Sequence, residues 1–123
     1  MKTEDINYSD EVILVVDDEE SVREPVVAML EHLGFNAESA VNGEDALKML
    51  TQKAYTFLLT DIRMPGIDGL ELIKRAKRNY PEICGIAMTG FSKEFDYVEV
   101  INAGAADFVN KPFVIEELEA KMK

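Results

Sequence analysis

Three observations predict an α/β fold with a five-stranded parallel sheet and helices on both of its faces. Short apolar runs recur along the chain, the first and clearest being Val12-Ile13-Leu14-Val15-Val16. Continuous apolar runs of this length are what strands look like when both faces are covered. Between them lie segments whose apolar residues fall at helical spacing, punctuated by Gly, Pro, Asn and Asp. Strand and helix alternating in this way build a doubly wound parallel sheet.

The elements follow in order. Residues 1–10 are polar and aperiodic and read as a leader; residues 11–123 read as one domain. After the first strand, Ser21-Val22-Arg23-Glu24 has the pattern of a capping box. Val26, Val27, Leu30 and Leu33 then give a helical stripe, and Gly34 stops it. With Ser21 as N-cap, Pro25 falls at the edge of the first turn, where it removes at most one hydrogen bond. Asn36–Ala40 is the second strand, and Asn42-Gly43 leads into a helix carrying Ala46, Leu47, Met49 and Leu50. Residues 55–60 form the third strand, which ends at Asp61. Pro65-Gly66 and Asp68-Gly69 mark a loop and a cap before a helix with Leu70, Leu72, Ile73 and Ala76. Residues 83–88 form the fourth strand, ending at Thr89-Gly90. A helix capped by Ser92 runs to Ala103, with Gly104 after it. Phe108-Val109 is the fifth strand, ending at Asn110-Lys111-Pro112, and Leu118 and Met122 belong to a last helix.

Composition narrows the function. Thirteen Lys and Arg against 24 Asp and Glu give a formal net charge of −11, which speaks against direct nucleic-acid binding. The longest stretch without a charge, residues 83–92, is half of what a membrane span needs (about 20 residues). The N-terminus carries Glu4, Asp5 and Asp10 and has no secretory pattern. The single Cys84 cannot form an internal disulfide and reads as a small core residue. A reducing, cytoplasmic setting is the expectation. His32 reads as a surface or capping residue near a helix end, and Lys74, Arg75, Lys77 and Arg78 as a solvated basic face.

In doubly wound sheets the ligand site lies at the carboxyl ends of the strands, where strand order reverses. Those ends carry Asp17-Asp18, Asp61, Thr89 and Lys111. Carboxylates at neighbouring strand ends repel one another unless a cation sits among them, and oxygen donors suit a hard cation, Mg²⁺ first. An ammonium and a hydroxyl suit the oxygens of a transferring phosphoryl group, and a carboxylate can be its acceptor. Asp61, at the end of a central strand, is the candidate nucleophile.

Taken together, Asp17-Asp18-Glu19, Asp61-Ile62-Arg63-Met64-Pro65-Gly66-Ile67-Asp68-Gly69, Thr89-Gly90 and Lys111-Pro112-Phe113 closely resemble the receiver domain of bacterial two-component response regulators. The resemblance runs from about Val12 to Lys123 and implies the flavodoxin-like (βα)5 receiver fold. It implies that Asp61 is the phosphoacceptor. Asp18, Asp61 and the backbone carbonyl of Arg63 would ligate Mg²⁺, with Asp17 acting largely through water. Thr89 would bind a phosphoryl oxygen, and Lys111 would pair with the phosphate. Thr89 and Phe108 would form the switch, Phe standing where the family often has Tyr, and the bond before Pro112 would be cis. Arg63 and Phe91 would flank the attacking water, so that bulky Phe91 slows loss of the phosphoryl group.

The resemblance further implies a histidine kinase or histidine phosphotransfer protein as donor. It implies signalling to an output domain or partner through the fourth helix, fifth strand and fifth helix, and the apolar residues of the fourth helix add the expectation of a partner or homodimer contact there that phosphorylation strengthens. Phe95, Tyr97, Val98, Val100 and Ile101 exceed one buried stripe there. Such a protein is a phosphoacceptor rather than an enzyme. The alternatives are an interaction module that is never phosphorylated, or an aspartyl-phosphate phosphatase or phosphotransferase. The latter would normally have a general acid or base beside Asp61, where Arg63 stands, and a cap for which no segment is long enough.

Overall fold

The computed structural model describes residues 11–89, 97–110 and 120. Its elements are β1 (Val12–Val16), α1 (Glu20–His32), β2 (Asn36–Ala40), α2 (Gly43–Leu50), β3 (Phe57–Asp61), α3 (Gly69–Asn79), β4 (Cys84–Thr89), α4 (Tyr97–Asn102) and β5 (Asp107–Asn110). The strands form one sheet in the order β2-β1-β3-β4-β5, every pairing parallel. This is the predicted alternating α/β fold. Strand order reverses between β1 and β3, whose register pairs Val16 with Thr60. The residues that follow in each strand, Asp17 and Asp61, therefore emerge side by side at the carboxyl edge.

Side-chain alternation along the buried strands divides the core into two layers. Ile13, Val15, Phe57, Leu59, Ile86 and Met88 pack with Val26 and Leu30 of α1. Leu14, Val16, Leu58 and Ala87 face the other way, onto Ala46 and Leu50 of α2, Leu72 and Ile73 of α3, and Val100 of α4. Cys84 is only half-buried, at the margin of the α1 layer, because it opens β4 at the exposed end of the sheet.

β4, β5 and the end of α4 differ by a residue from expectation, and two further boundaries differ for a reason the structure shows. β3 begins at Phe57 rather than at residue 55, because Tyr55 is drawn towards the edge strand: its hydroxyl donates to Glu38 at 2.7 Å. Lys53 donates to the same carboxylate. The two hydrogen bonds, Lys53 first, hold the Glu38 carboxyl below its ordinary value. Burial and then the Glu38 carboxylate push the Tyr55 hydroxyl above its own.

The larger difference is at α1. Ser21 is not its N-cap; the helix starts at Glu20, with Glu19 as the cap residue and no side-chain cap bond. The turn before the helix explains this. Asp17 Oδ1 accepts the Glu19 N–H at 2.9 Å, and the Glu19 carbonyl accepts from Val22 and Arg23. The acidic turn thus opens the helix itself, ahead of the capping-box serine. Pro25 consequently lies inside the helix, at its sixth residue, on the exposed side.

At α2 and α3 the local signals hold. Asn42 caps α2 by accepting from the Asp45 N–H at 2.7 Å, and Asp68 caps α3 by accepting from Glu71 at 2.9 Å. His32 is in the last turn of α1. The α3 basic face is only partly a solvated one: Arg75 pairs with Glu71, and Lys77 donates to the carbonyls of Pro81 and Ile83. No helix among the described residues is long and apolar enough to cross a membrane.

Candidate functional site: an acidic cluster at the carboxyl edge

Asp17, Asp18 and Asp61 each present a carboxylate oxygen within 4.8 Å of the others. Asp17 is fully buried, Asp61 is 6% exposed, and Asp18 is open to solvent. Two buried carboxylates and one exposed one make a cup whose mouth faces water.

Each buried member is held by its own backbone surroundings. The Asp17 N–H donates to the Ala40 carbonyl of β2 at 3.3 Å, and its side chain accepts from Glu19. The Asp17 carbonyl accepts from Arg23 Nη1 at 2.8 Å. Asp61 Oδ1 accepts from the Ile62 N–H at 3.0 Å, while the Asp61 carbonyl accepts from the Thr60 hydroxyl at 2.9 Å. Ile62 also donates to the Met88 carbonyl, tying the end of β3 to β4.

The first residue of α3 closes the back of the site. Gly69 donates to the Ile62 carbonyl at 2.8 Å, and a Cβ there would lie 2.0 Å from the Asp61 carbonyl oxygen. Only glycine lets the helix approach so near. The loop between is also constrained. Gly66 has φ +78°, and a Cβ on it would meet the Glu44 carboxylate at 2.7 Å. A Cβ on Gly43 would meet Ile67 at 2.9 Å. The N-terminus of α2 therefore abuts the loop that follows Asp61.

Two like charges 4.8 Å apart repel by roughly 3 kcal/mol at an effective dielectric near 20, less where Asp18 meets water. Three such carboxylates are stable together when a cation shares their oxygens. All donors are hard oxygens and one side is wet, which fits Mg²⁺, an ion that keeps several waters. A groove of about 400 Å³ lined by Leu50, Lys53, Tyr55, Tyr80 and Ile83 lies at the other end, where β3 and β4 begin.

The structure thus unites Asp17, Asp18 and Asp61. Arg63 is exposed in the loop two residues past Asp61. Thr89 ends β4 one residue beyond Met88, the partner of Asp61 in the sheet, and Phe108 is in β5 opposite Ala87. The side chains of Thr89 and Phe108 lie outside the described structure, as do Phe91, Ser92, Phe95, Lys111, the Lys111–Pro112 bond, the leader and the last helix apart from Ala120. Of the fourth-helix apolar residues, Val100 is buried and Ile101 half-buried; the side chains of Tyr97 and Val98 are likewise not described.

Arg23 is a site residue that sequence reasoning misses. A signal for it exists: with Val26, Val27 and Leu30 it completes an i, i+3, i+4, i+7 stripe, a cation in apolar register at the end of the helix nearest Asp17.

Residues 13–123 match the family described as response regulator receiver domain. The transcriptional regulatory protein DltR of Streptococcus agalactiae is 34% identical over 111 residues, covering 90% of this chain and 50% of that protein. The DNA-binding transcriptional regulator NtrC of Escherichia coli is 38% identical over 109 residues, covering 89% of this chain and 23% of that protein. The chain thus spans half or less of these curated relatives. Among solved structures, FixJ-N superposes with a TM-score of 0.84 at 32% identity, covering 93% of this chain and 91% of that one. The Vibrio cholerae chemotaxis protein CheY4 superposes with a TM-score of 0.85 at 26% identity, covering 91% and 95%.

Proposed function

The chain belongs to the response regulator receiver family of two-component signalling, and from that premise we propose that Asp61 is its phosphoacceptor and that the domain is a phosphorylation switch. The observation that carries the reading is the meeting of Asp17, Asp18 and Asp61 at the point where strand order reverses.

In this reading a carboxylate oxygen of Asp61 attacks the phosphorus of a phosphohistidine on a kinase or phosphotransfer protein. The P–O bond to Asp61 forms as the P–N bond breaks, and the imidazole nitrogen leaves with the electron pair. The Ile62 N–H on Oδ1 fixes the carboxylate, and the sheet and Gly69 fix the backbone behind it. Asp17, Asp18, Asp61 and the carbonyl of Arg63 would hold Mg²⁺, which when bound neutralises charge on the phosphoryl oxygens. Lys111 supplies a second positive charge to the phosphoryl group and Thr89 a hydroxyl donor.

Signal leaves by conformational change. Thr89 and Phe108 are the switch pair, placed on the adjacent strands β4 and β5, and α4 and β5 carry the change to an output domain or partner. NtrC is called a DNA-binding transcriptional regulator; for this chain a transcriptional output through an attached or separate partner is the corresponding proposal. The domain itself acts as a phosphoacceptor and not as an enzyme with a substrate pocket.

The test is beryllofluoride with Mg²⁺, an aspartyl-phosphate mimic, added to wild type and Asp61→Asn and followed by amide NMR. Shifts near Asp61, Thr89 and Phe108 and along α4, in wild type alone, are expected. Mg²⁺ binding without any response to the mimic would refute the phosphoacceptor reading.

A further inference from the structure

We propose that Arg23 is a positioning residue for the Mg²⁺ site, an inference that rests on the functional reading above. Its guanidinium reaches back from the end of the first turn of α1 and donates to the Asp17 carbonyl at 2.8 Å. The side chain is only 12% exposed, so this cation is committed to the turn rather than to solvent. Its ion-pair neighbour, Glu20, stands at 3.9 Å and is 75% exposed, a weak competitor.

Asp17 is thereby held at its N–H by Ala40, at its carbonyl by Arg23 and at its side chain by Glu19. The first tie comes from β2, the second from α1 and the third from the turn itself. Arg23 is the only one of the three whose strength depends on a side chain other than that of Asp17. Groups hydrogen-bonded directly to a ligating side chain change metal affinity by about 10–100-fold when removed; Arg23 acts one step further back, through the Asp17 backbone, so its effect belongs at the low end of that range.

Charge and positioning oppose each other here, which makes the role separable. A guanidinium on the turn that carries Asp17 and Asp18 repels an incoming Mg²⁺, so charge alone predicts tighter metal binding once Arg23 is neutralised. Positioning predicts weaker binding, because the Asp17-Asp18 turn must then be ordered by the metal.

The experiment is calorimetric Mg²⁺ titration of the full chain as wild type, Arg23→Gln, Arg23→Ala and Arg23→Lys, with amide NMR of each in chelator. Affinity about tenfold weaker is expected in the Gln and Ala variants. Lys should recover part of it, because it keeps the charge and one donor but not the planar fork. In chelator, the amide signals of residues 17–19 should move in the variants while those of α3 stay. Equal or tighter Mg²⁺ binding in well-folded Gln and Lys variants, with residues 17–19 unmoved in chelator, would overturn the inference. A wild type that fails to bind Mg²⁺ at all would overturn the functional reading with it, and so is distinguishable from failure of the Arg23 role alone. If Arg23→Ala does not fold, the Gln and Lys variants decide.

Discussion

Replacing Gly69 with alanine puts a methyl carbon 2.0 Å from the Asp61 carbonyl oxygen, 2.8 Å from Ile62 Cα and 2.9 Å from the Asp61 carbonyl carbon. Ordinary contact begins near 3.4 Å, so α3 must withdraw from the end of β3 by about 1.4 Å. All three obstructing atoms are backbone at the end of a strand paired on both sides, and none can rotate away. Withdrawal also lengthens the 2.8 Å bond from the Gly69 N–H to the Ile62 carbonyl beyond hydrogen-bond range. Overpacking costs about 1–3 kcal/mol and a lost hydrogen bond about 1 kcal/mol, while alanine returns at most about 1 kcal/mol of helix propensity. The net expectation is a loss of about 1–3 kcal/mol, a substantial part of the 5–15 kcal/mol typical of a domain. Urea unfolding followed by circular dichroism measures it. The midpoint should fall by about 1–2 M with little change in slope. Gly85→Ala is the control: the atoms nearest its Cβ are side-chain carbons of Ile73, the first at 3.2 Å rather than 2.0 Å, and it should cost about 1 kcal/mol. A Gly69→Ala protein within 1 kcal/mol of wild type, or a Gly85→Ala protein destabilised as much, would refute the assignment of Gly69 as the spacer behind Asp61.

Two other perturbations test the structure away from the site. Pro25→Ala restores a backbone donor inside α1 at an exposed position and should stabilise the domain by about 1–3 kcal/mol in the same urea assay; a neutral or destabilising result would contradict an interior Pro25. The carboxyl of Glu38 is held down by Lys53 and Tyr55, so its contribution is present above pH 4.5 and lost as pH falls through the lower folded-state value. Lys53→Met and Tyr55→Phe should therefore lose stability at neutral pH and converge on wild type under acid; urea midpoints that keep the same gap at both ends would exclude this linkage.

Much of the site is legible in the sequence because it depends on local chemistry. An apolar strand must end somewhere, and in an alternating parallel fold its carboxyl end is where polar residues become useful; Asp17-Asp18, Asp61 and Thr89 each stand at such an end. Asn42 and Asp68 are readable as turn or cap residues for a similar reason, since each acts on an N–H three residues away. Ser21 misleads because a capping box is also a local signal, and here a carboxylate four residues earlier has already opened the helix.

By itself the sequence determined the alternation of strands and helices, the apolar stripes and the polar residues waiting at the strand ends, all of which follow from periods of two and 3.6 residues and from short-range turn chemistry. Only the tertiary structure decided that Asp17 and Asp61 end adjacent strands, that Arg23 folds back onto the Asp17 carbonyl, and that α3 touches Asp61 through a bare glycine. Those contacts join residues 6 to 44 positions apart in the chain, and they exist because pairing and two-sided packing of the sheet bring distant backbone into register, which no local pattern specifies.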